Sequence, residues 1–313
     1  LPPPDEGRRA TMKGRRDRSR AEEKDIVEGE NAGDDADDDN DDVDEQYHRH
    51  HDRKENEILR IFRDLTHPSQ IQSLFAAICR LLSASQYTGS YFALDPLECF
   101  QESFVLLWKL LEENSAFLPV VMEKCDIIAL VRPLLYFLYD CRNDSSKIGL
   151  LYSCVFILLR LSSERQFSVA LNTEYKGDMN IPPLKFKQGT YADLMILVCQ
   201  KVVVSSADHL NSMLNGVLTV ISNCSPYLTS LSLLSSVKLL NLFELVTKPK
   251  FLYGSPQNPN YVVLMLDIFN NLIQYQYYGC PDLVYGIIRR SKTFFALTKM
   301  PELVSTKQKQ KSE

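Results

Sequence analysis

The sequence lacks the short motifs that carry most recognised enzyme chemistry. None of the patterns G-x-x-x-x-G-K-S/T, G-x-G-x-x-G, G-x-S-x-G or H-E-x-x-H occurs in its 313 residues, so no phosphate loop, nucleophile elbow or zinc-protease helix is indicated. Histidine is scarce, and only His67 and His209 lie beyond the charged amino-terminal part. Neither stands near an obvious nucleophile and orienting carboxylate in the sequence. We therefore expect a protein that is not an enzyme, with no cofactor and no catalytic, cofactor-binding or metal-binding residues.

Paired cysteines are also missing. No C-x-x-C pair occurs among the eight scattered cysteines, which are Cys79, Cys99, Cys125, Cys141, Cys154, Cys199, Cys224 and Cys280. Most fall inside apolar runs, which is typical of buried thiols in a reducing compartment and not of a short, disulfide-rich secreted protein. The run HRHH, which contains His48, His50 and His51, is a weak metal-binding hypothesis because no cysteine or further histidine stands near it.

Long hydrophobic runs are absent as well. The longest, Ile148–Leu158, has about 11 residues, against the roughly 20 that a helix needs to span a bilayer. The first 20 residues are rich in proline and arginine and have no apolar run, so no signal peptide is indicated. These features predict a soluble, cytosolic protein. Because the chain does not begin with methionine, we expect either a fragment of a longer protein or an incomplete gene model.

Charge is unevenly distributed along the chain. Residues 1–55 carry 19 acidic and 11 basic side chains, so from totals of 40 and 35 the rest of the chain keeps 21 and 24. Residues 1–53 hold almost no large apolar side chains and are predicted to be disordered. They contain a basic arm, Arg8–Arg20, and an acidic block, Asp34–Glu45. The arm is either a phosphate-binding or localisation signal or, on the plainer reading, part of a solvated linker.

Residues 54–300 are rich in apolar side chains at helical spacing and are predicted to form one α-helical domain, followed by a polar tail at 301–313. The run Ile148–Leu161 is apolar almost all round, which requires burial on all sides or a membrane. We expect it to be the central helix, wrapped by its neighbours. Three of its side chains should be nearly inaccessible to solvent: Val155, Ile157 and Leu158.

About a dozen helices are predicted, joined by short polar turns. In chain order they are Glu57–Leu65, Ser69–Ser83, Pro96–Glu113, Phe117–Lys124, Asp126–Tyr139, Ile148–Leu161, Thr190–Val204, Asp208–Asn223, Pro226–Thr247, Asn260–Tyr277, Pro281–Arg290 and Lys292–Thr298. Their expected amino-terminal caps are Ser69, Asp95, Asp126, Ser145 or Ser146, and a capping box of Thr190 with Asp193. The longest irregular stretch, Ser162–Gly189, is either a functional loop or an ordered strap.

A few conspicuous side chains have a plain structural interpretation. Trp108, the only tryptophan, is expected to anchor the core instead of stacking on a ligand. Arg132 and Arg160 are the only charges within two apolar runs, and each is expected to reach the surface or to pair locally. Aromatic residues are not interleaved with a basic stripe, so nucleic acid is not expected as a partner. No small-molecule substrate is expected either.

The predicted fold class is all-α. Helix pairs that are mostly apolar on one side fit an armadillo- or HEAT-like helical solenoid better than a closed bundle, although no strict repeat period is visible. In such a fold each helical pair buries its apolar face against its neighbours. A central helix that is apolar all round is consistent with that arrangement.

Three stretches together resemble a known family. They are FQESFVLLWKL with LYSCVFILLRLSSERQFSVALN, residues 100–110 and 151–172; SPYLTSLS, residues 225–232, leading into Lys238–Leu240; and FNNLIQYQYYGCPDLVYGIIRRS, residues 269–291. They resemble the high-temperature-induced dauer-formation protein family, with dymeclin as a more distant relative. The similarity covers most of 55–300. Members of that family are considerably longer, so the chain resembles an internal part of one.

The resemblance implies a non-enzymatic protein of the cytoplasm that attaches to the cytosolic face of Golgi membranes. It implies a scaffold or adaptor in trans-Golgi vesicle traffic and in the sorting of cargo to dense-core granules, with protein partners of the secretory pathway. The alternative is a soluble armadillo-like carrier or protein-interaction module of the cytosol or nucleus. The best basic cluster for a membrane contact is Arg289, Arg290 and Lys292, followed by Lys299, Lys307, Lys309 and Lys311. The alternative is that these residues are only a positively charged helix end and a solvated tail. We expect residues 1–313 alone to stay mostly soluble, with attachment through regions outside the fragment.

Overall fold

A computed structural model of the chain describes residues 56–84, 99–176, 186, 188–205 and 210–299. The chain divides into two units, Leu1–Lys54 and Glu55–Glu313, and every described residue belongs to the second. The predicted disordered segment 1–53, with its basic arm, acidic block and histidine run, therefore lies outside the described residues. So do the tail 301–313 and the expected Asp95 cap.

The described body is built almost entirely from α-helices. The first seven are α1 Glu57–Asp64, α2 Pro68–Ala84, α3 Phe100–Glu113, α4 Phe117–Lys124, α5 Ile128–Asp140, α6 Ile148–Ser162 and α7 Arg165–Ala170. The remaining helices are α8 Tyr191–Ser205, α9 Leu210–Cys224, α10 Leu233–Val246, α11 Pro249–Leu252, α12 Asn258–Gln276, α13 Pro281–Arg289 and α14 Ser291–Leu297. A two-residue ladder before α8 pairs β1 Glu174–Tyr175 antiparallel with β2 Gly189–Thr190. The all-α prediction is confirmed.

The helices lie in two rows. In one row α3, α6, α9 and α12 follow one another, each in contact with the next. In the other row α2, α5, α8, α10 and α13 do the same, and the pairs α2–α3, α5–α6, α8–α9 and α10–α12 join the rows. Each helix therefore buries its apolar side against neighbours in its own row and in the other row. This is the neighbour order that a stack of helical repeats requires, and the armadillo- or HEAT-like class itself stays a prediction.

Helix α6 lies in the middle of its row. Val155, Ile157 and Leu158 are at most 4% exposed, as expected. The expectation that α6 is wrapped on all sides is wrong, because Gly149, Phe156 and other residues on one stripe face solvent, and the side chain of Phe156 is 46% exposed. Apolar composition alone did not reveal this open side.

Helix α6 lies within a window of the described residues that has the length and composition of a membrane span. The window Ser145–Ser162 is 18 residues long with a mean hydropathy of 1.3, long and apolar enough to cross a membrane by those two measures. Half of the window is buried inside the fold. A core helix of a soluble protein has the same length and composition, so the window is weak evidence for a membrane span.

Of the helix caps predicted from the local sequence, the one on α8 is correct and the one on α6 is wrong. The capping box is confirmed: the Thr190 amide donates to Asp193 Oδ2 at 3.1 Å, and the Asp193 amide donates to Thr190 Oγ1 at 3.2 Å. The cap expected at Ser145 or Ser146 is wrong. Asp144 accepts from the Ser146 amide at 2.9 Å, and this bond begins a 3₁₀ turn, Ser145–Lys147, that leads into α6.

Two predicted elements differ from the structure. The stretch after Cys224 is a 3₁₀ turn, Ser225–Tyr227, followed by extended chain, and α10 begins only at Leu233. The predicted helix Pro226–Thr247 is therefore too long at its start. The predicted irregular stretch Ser162–Gly189 contains helix α7 and the strand β1, and Phe167 on α7 is fully buried.

Candidate interaction surface

One row of helices presents an open side to solvent. Each of α6 and α9 has a row neighbour on both flanks and a partner in the other row, so only the side away from that partner remains exposed. We call the exposed side of α3, α6, α9 and α12 the outer face. It is defined by Glu102 and Val105 on α3, Phe156 on α6, Asn215 on α9, and Val263, Asp267 and Asn270 on α12, all of which are exposed.

Aromatic rings stack across the outer face. The Trp108 and Phe156 rings lie with centroids 6.0 Å apart and 18° between their planes, and Tyr152 stacks on the same Phe156 ring at 6.3 Å. The Lys109 Nζ lies 4.8 Å from the Trp108 ring centroid. Trp108 packs against the core but is only half-buried. The prediction that it anchors the core is therefore partly right, because one of its edges joins the surface stack.

Amide side chains continue the outer face beyond the aromatic rings. Asn215 and Asn270 are exposed, and among the described residues no hydrogen bond involves the carboxamide group of either. Asn223 and Asn271, on the same two helices, instead donate to Ser162 Oγ and Ser225 Oγ, each at 3.0 Å. The two inward amides hold the fold together, whereas the two outward amides keep their donors and acceptors free for water or a ligand.

The two internal arginines behave as predicted. The Arg160 guanidinium donates to Ser163 Oγ at 3.0 Å and lies 3.8 Å from Glu164. Arg132 donates from Nε to the Tyr191 hydroxyl at 2.6 Å. Both side chains thus pair with residues of the protein.

The cysteine thiols are reduced in the structure, and most are buried. Burial raises the pKa of Cys79, Cys141, Cys199 and Cys224 to about 12 and that of Cys280 to about 11. A thiol whose pKa is raised in this way carries little thiolate at neutral pH and is a poor nucleophile. Cys99 is the exposed exception. No group of three or more His, Cys, Asp or Glu side chains in the part of the chain that the structure describes has the arrangement of a metal site.

A groove of about 910 Å³ opens beside α2, at the start of α5. Phe75, Cys79 and Cys125 line it, with Arg80 and Lys124 among its charged residues. Burial raises the pKa of both thiols. The groove therefore offers an apolar wall and charged side chains, and its two thiols are poor nucleophiles.

The predicted basic cluster has less free positive charge in the folded protein than its sequence indicates. Arg290 donates to Glu244 Oε1 at 2.7 Å and to Asn241 Oδ1 at 3.1 Å, so its charge is compensated within the fold. Arg289 donates to the Tyr285 hydroxyl at 3.2 Å and remains exposed, as does Lys292. Two of the three positive charges thus remain for an external contact.

Two of the stretches that carry the family resemblance, 151–172 and 269–291, meet at the third, segment 225–232. The Asn172 side chain donates to the Tyr227 carbonyl at 2.9 Å and accepts from the Thr229 amide at 2.8 Å. Gln276 donates to another carbonyl of the same segment at 2.9 Å. These bonds satisfy a backbone that has no helical partners of its own.

Asp193 and Gly279 fix the end of this segment. Asp193 is 2% exposed, and its carboxylate accepts from the Ser232 amide at 2.8 Å and the Ser232 hydroxyl at 2.9 Å. The Leu231 amide donates to the Gly279 carbonyl at 3.2 Å. The resemblance therefore marks a junction that holds α8, α10 and α12 together.

The fold and the surface define an all-helical, two-row domain with one open, largely uncharged face. Residues 21–306 match the model of the dymeclin family, described as Dyggve-Melchior-Clausen syndrome protein. Because this match covers most of the sequence, the chain belongs to the dymeclin family. No solved structure matches it significantly.

The most similar relatives confirm the resemblance seen in the sequence. The chain is 40% identical to mouse Protein HID1 over 250 residues, which is 79% of this chain and 31% of the relative, and 39% identical to human Protein HID1 over the same shares. It is 24% identical over 264 residues to the fission yeast Ubp5-interacting protein ftp105, covering 81% of this chain and 28% of that protein. The chain thus spans about a third of the length of its relatives.

Proposed function

We propose that the whole protein to which this chain belongs is a non-enzymatic scaffold or adaptor on the cytosolic face of Golgi membranes. It would serve trans-Golgi vesicle traffic and the sorting of cargo to dense-core granules. The observation that carries the proposal is the 40% identity to Protein HID1, because the resemblance to that family implies this role. The open outer face supports it by giving such a scaffold a surface for partners.

The proposed partners are proteins of the secretory pathway. A fission yeast relative is named for its interaction with Ubp5, so protein binding has a precedent among relatives of this chain. Neither nucleic acid nor a small-molecule substrate is proposed.

Membrane attachment is proposed to depend on regions outside residues 1–313. A basic residue near an anionic membrane contributes about 1 kcal/mol of binding free energy, and the described basic cluster keeps only Arg289 and Lys292 free of an internal carboxylate. Two such residues give too little affinity for stable attachment. We therefore expect the fragment to remain mostly soluble.

Imaging and fractionation of tagged 1–313 beside the tagged full-length protein test this proposal. The full-length protein should concentrate at the Golgi, and the fragment should not. Equal enrichment of the two would contradict the proposed dependence on other regions. Charge reversal at Arg289 and Lys292 would then show whether these side chains make the contact. Absence of the full-length protein from Golgi membranes would overturn the scaffold proposal itself.

A second candidate is a soluble armadillo-like carrier of the cytosol or nucleus. The stack of Trp108 with Phe156 and the free amides of Asn215 and Asn270 favour it, since an aromatic and amide face suits a peptide cargo. Nuclear or diffuse cytosolic localisation of the full-length protein would support the carrier and exclude the scaffold.

A further inference from the structure

The helices of the outer face carry a different charge from the rest of the domain. Helices α3, α6, α9 and α12 contain four acidic and two basic side chains, whereas residues 56–313 as a whole have three more basic than acidic ones. Both basic side chains are already paired: Lys109 lies 2.7 Å from Glu112, and Arg160 lies 3.8 Å from Glu164. The free charges of this surface are therefore negative.

Two exposed carboxylates lie at opposite ends of the row. Glu102 is on α3, the first helix of the row, and Asp267 is on α12, the last. Neither has an ion-pair partner among the described residues. A ligand that lies across the row meets one unpaired carboxylate near each end, so electrostatic complementarity requires positive charge near both ends of the ligand.

Between these carboxylates the surface is apolar and then amide-rich. The Phe156 ring is backed by Trp108 and presents a firm apolar platform on α6. Asn215 and Asn270 follow on α9 and α12. An extended peptide has unpaired N–H and C=O groups, and a carboxamide side chain offers both an acceptor and a donor for them. A helical ligand has no such need, because its backbone groups are paired internally.

The width of the row sets the length of the ligand. Packed helices lie about 8–10 Å apart, so three spacings from α3 to α12 measure roughly 24–30 Å. An extended chain advances about 3.3 Å per residue, and eight or nine residues therefore cross the row.

We propose that the outer face binds an extended peptide segment of a partner protein, with basic residues near both ends and an apolar side chain between them. The apolar side chain packs on Phe156 and Trp108, the basic side chains pair with Glu102 and Asp267, and the peptide backbone bonds to the carboxamides. This inference rests on the proposed protein-binding role, and names the surface and the chemistry of the partner.

The test is a selection of random 12-residue peptides on the chain 1–313, followed by titration of synthetic versions of the enriched peptides. Trp108 is the only tryptophan, so its emission reports binding at this surface even though the acidic block Asp34–Glu45 attracts basic peptides as well. Enriched peptides should carry lysine or arginine on both sides of an apolar residue, and should change the Trp108 emission on binding.

Two substitutions and a matched control localise the binding. Phe156→Ser should weaken it at least about tenfold, as loss of a central aromatic contact does. Asp267→Asn should weaken it about two- to fivefold, as expected for a solvent-exposed ion pair. Phe295→Ser removes an exposed phenylalanine from α14, a helix that contributes no residue to the outer face, and should leave the affinity unchanged.

The proposal would be overturned by selection of acidic peptides, by selection of peptides with helical apolar spacing, or by binding that Phe156→Ser leaves intact. The proposal would also be overturned if the same peptides were enriched equally on the unsubstituted chain and on the Phe156→Ser variant. Self-association of the chain that Phe156→Ser abolishes would show that a second copy covers the face instead. These results do not depend on Golgi localisation, so the peptide site and the scaffold proposal fail separately.

Discussion

Neighbouring side chains on α6 show how burial depends on position in the row. Leu158 is 1% exposed, while Phe156, two residues earlier, is nearly half-exposed. Both are large and apolar, so hydropathy does not distinguish them. The difference arises because α3, α5 and α9 pack around three sides of the helix and leave the fourth uncovered. The sequence therefore predicted a buried helix, but not its open stripe or the outer face.

Leu158→Ala should lower the free energy of unfolding by about 2–5 kcal/mol, because it removes buried methyl groups and leaves a cavity. Urea unfolding monitored by circular dichroism measures the change. Val204→Ala, at a position on α8 that is 56% exposed, should alter the free energy by no more than about 0.5 kcal/mol. Equal effects of the two substitutions would mean that α6 is not a core helix.

At the scale of elements, the sequence predicts the bounds of a helix well where residues in the helix itself or in its cap determine them. The bounds of α4, Phe117–Lys124, agree with the prediction, and the capping box places the start of α8. The helix predicted to begin at Pro226 begins too early, because the apolar spacing of segment 225–232 continues that of the helix after it. After the 3₁₀ turn Ser225–Tyr227, the backbone of the segment is held extended by Asn172 and Asp193, which lie more than 30 residues away in the sequence. No local pattern contains that information.

Gly279→Ala and Gly149→Ala should have opposite effects. A β-carbon on Gly279 would overlap the carbonyl of Thr229, so the junction would have to shift, at a cost of about 1–3 kcal/mol. At Gly149, in the first turn of α6, a β-carbon meets nothing within 4 Å. There alanine should stabilise the helix by up to about 1 kcal/mol. Paired urea unfolding curves check this, and a stable Gly279→Ala variant would show that the junction tolerates rearrangement.

At the scale of the whole molecule, buried thiols couple stability to pH. Thiols in the unfolded chain lose their protons near pH 8.5, whereas burial raises the pKa of Cys79, Cys199 and Cys224 to about 12 in the folded protein. Between these values the folded state binds more protons than the unfolded state, so stability falls as pH rises. The contribution is fully present below about pH 8.5 and is lost progressively toward pH 12.

Each such thiol should therefore lower the free energy of unfolding by about 1.4 kcal/mol per pH unit in that range. Urea unfolding under reducing conditions at pH 7.5, 9 and 10 measures the slope. In Cys224→Ala one buried thiol fewer contributes, so the free energy of unfolding should fall less steeply as pH rises, by about 1.4 kcal/mol per pH unit. An unfolding free energy that stays constant between pH 8.5 and 10 would contradict the buried, protonated state of these side chains.

The central claim is that α6 is a core helix of a folded two-row body and presents one open stripe to solvent. Amide hydrogen exchange of 1–313 in detergent-free buffer tests it most directly. The amides of Leu151–Leu161 should exchange among the slowest in the chain, near the rate of global unfolding. Exchange of these amides within minutes, while helices in the other row stay protected, would contradict the account.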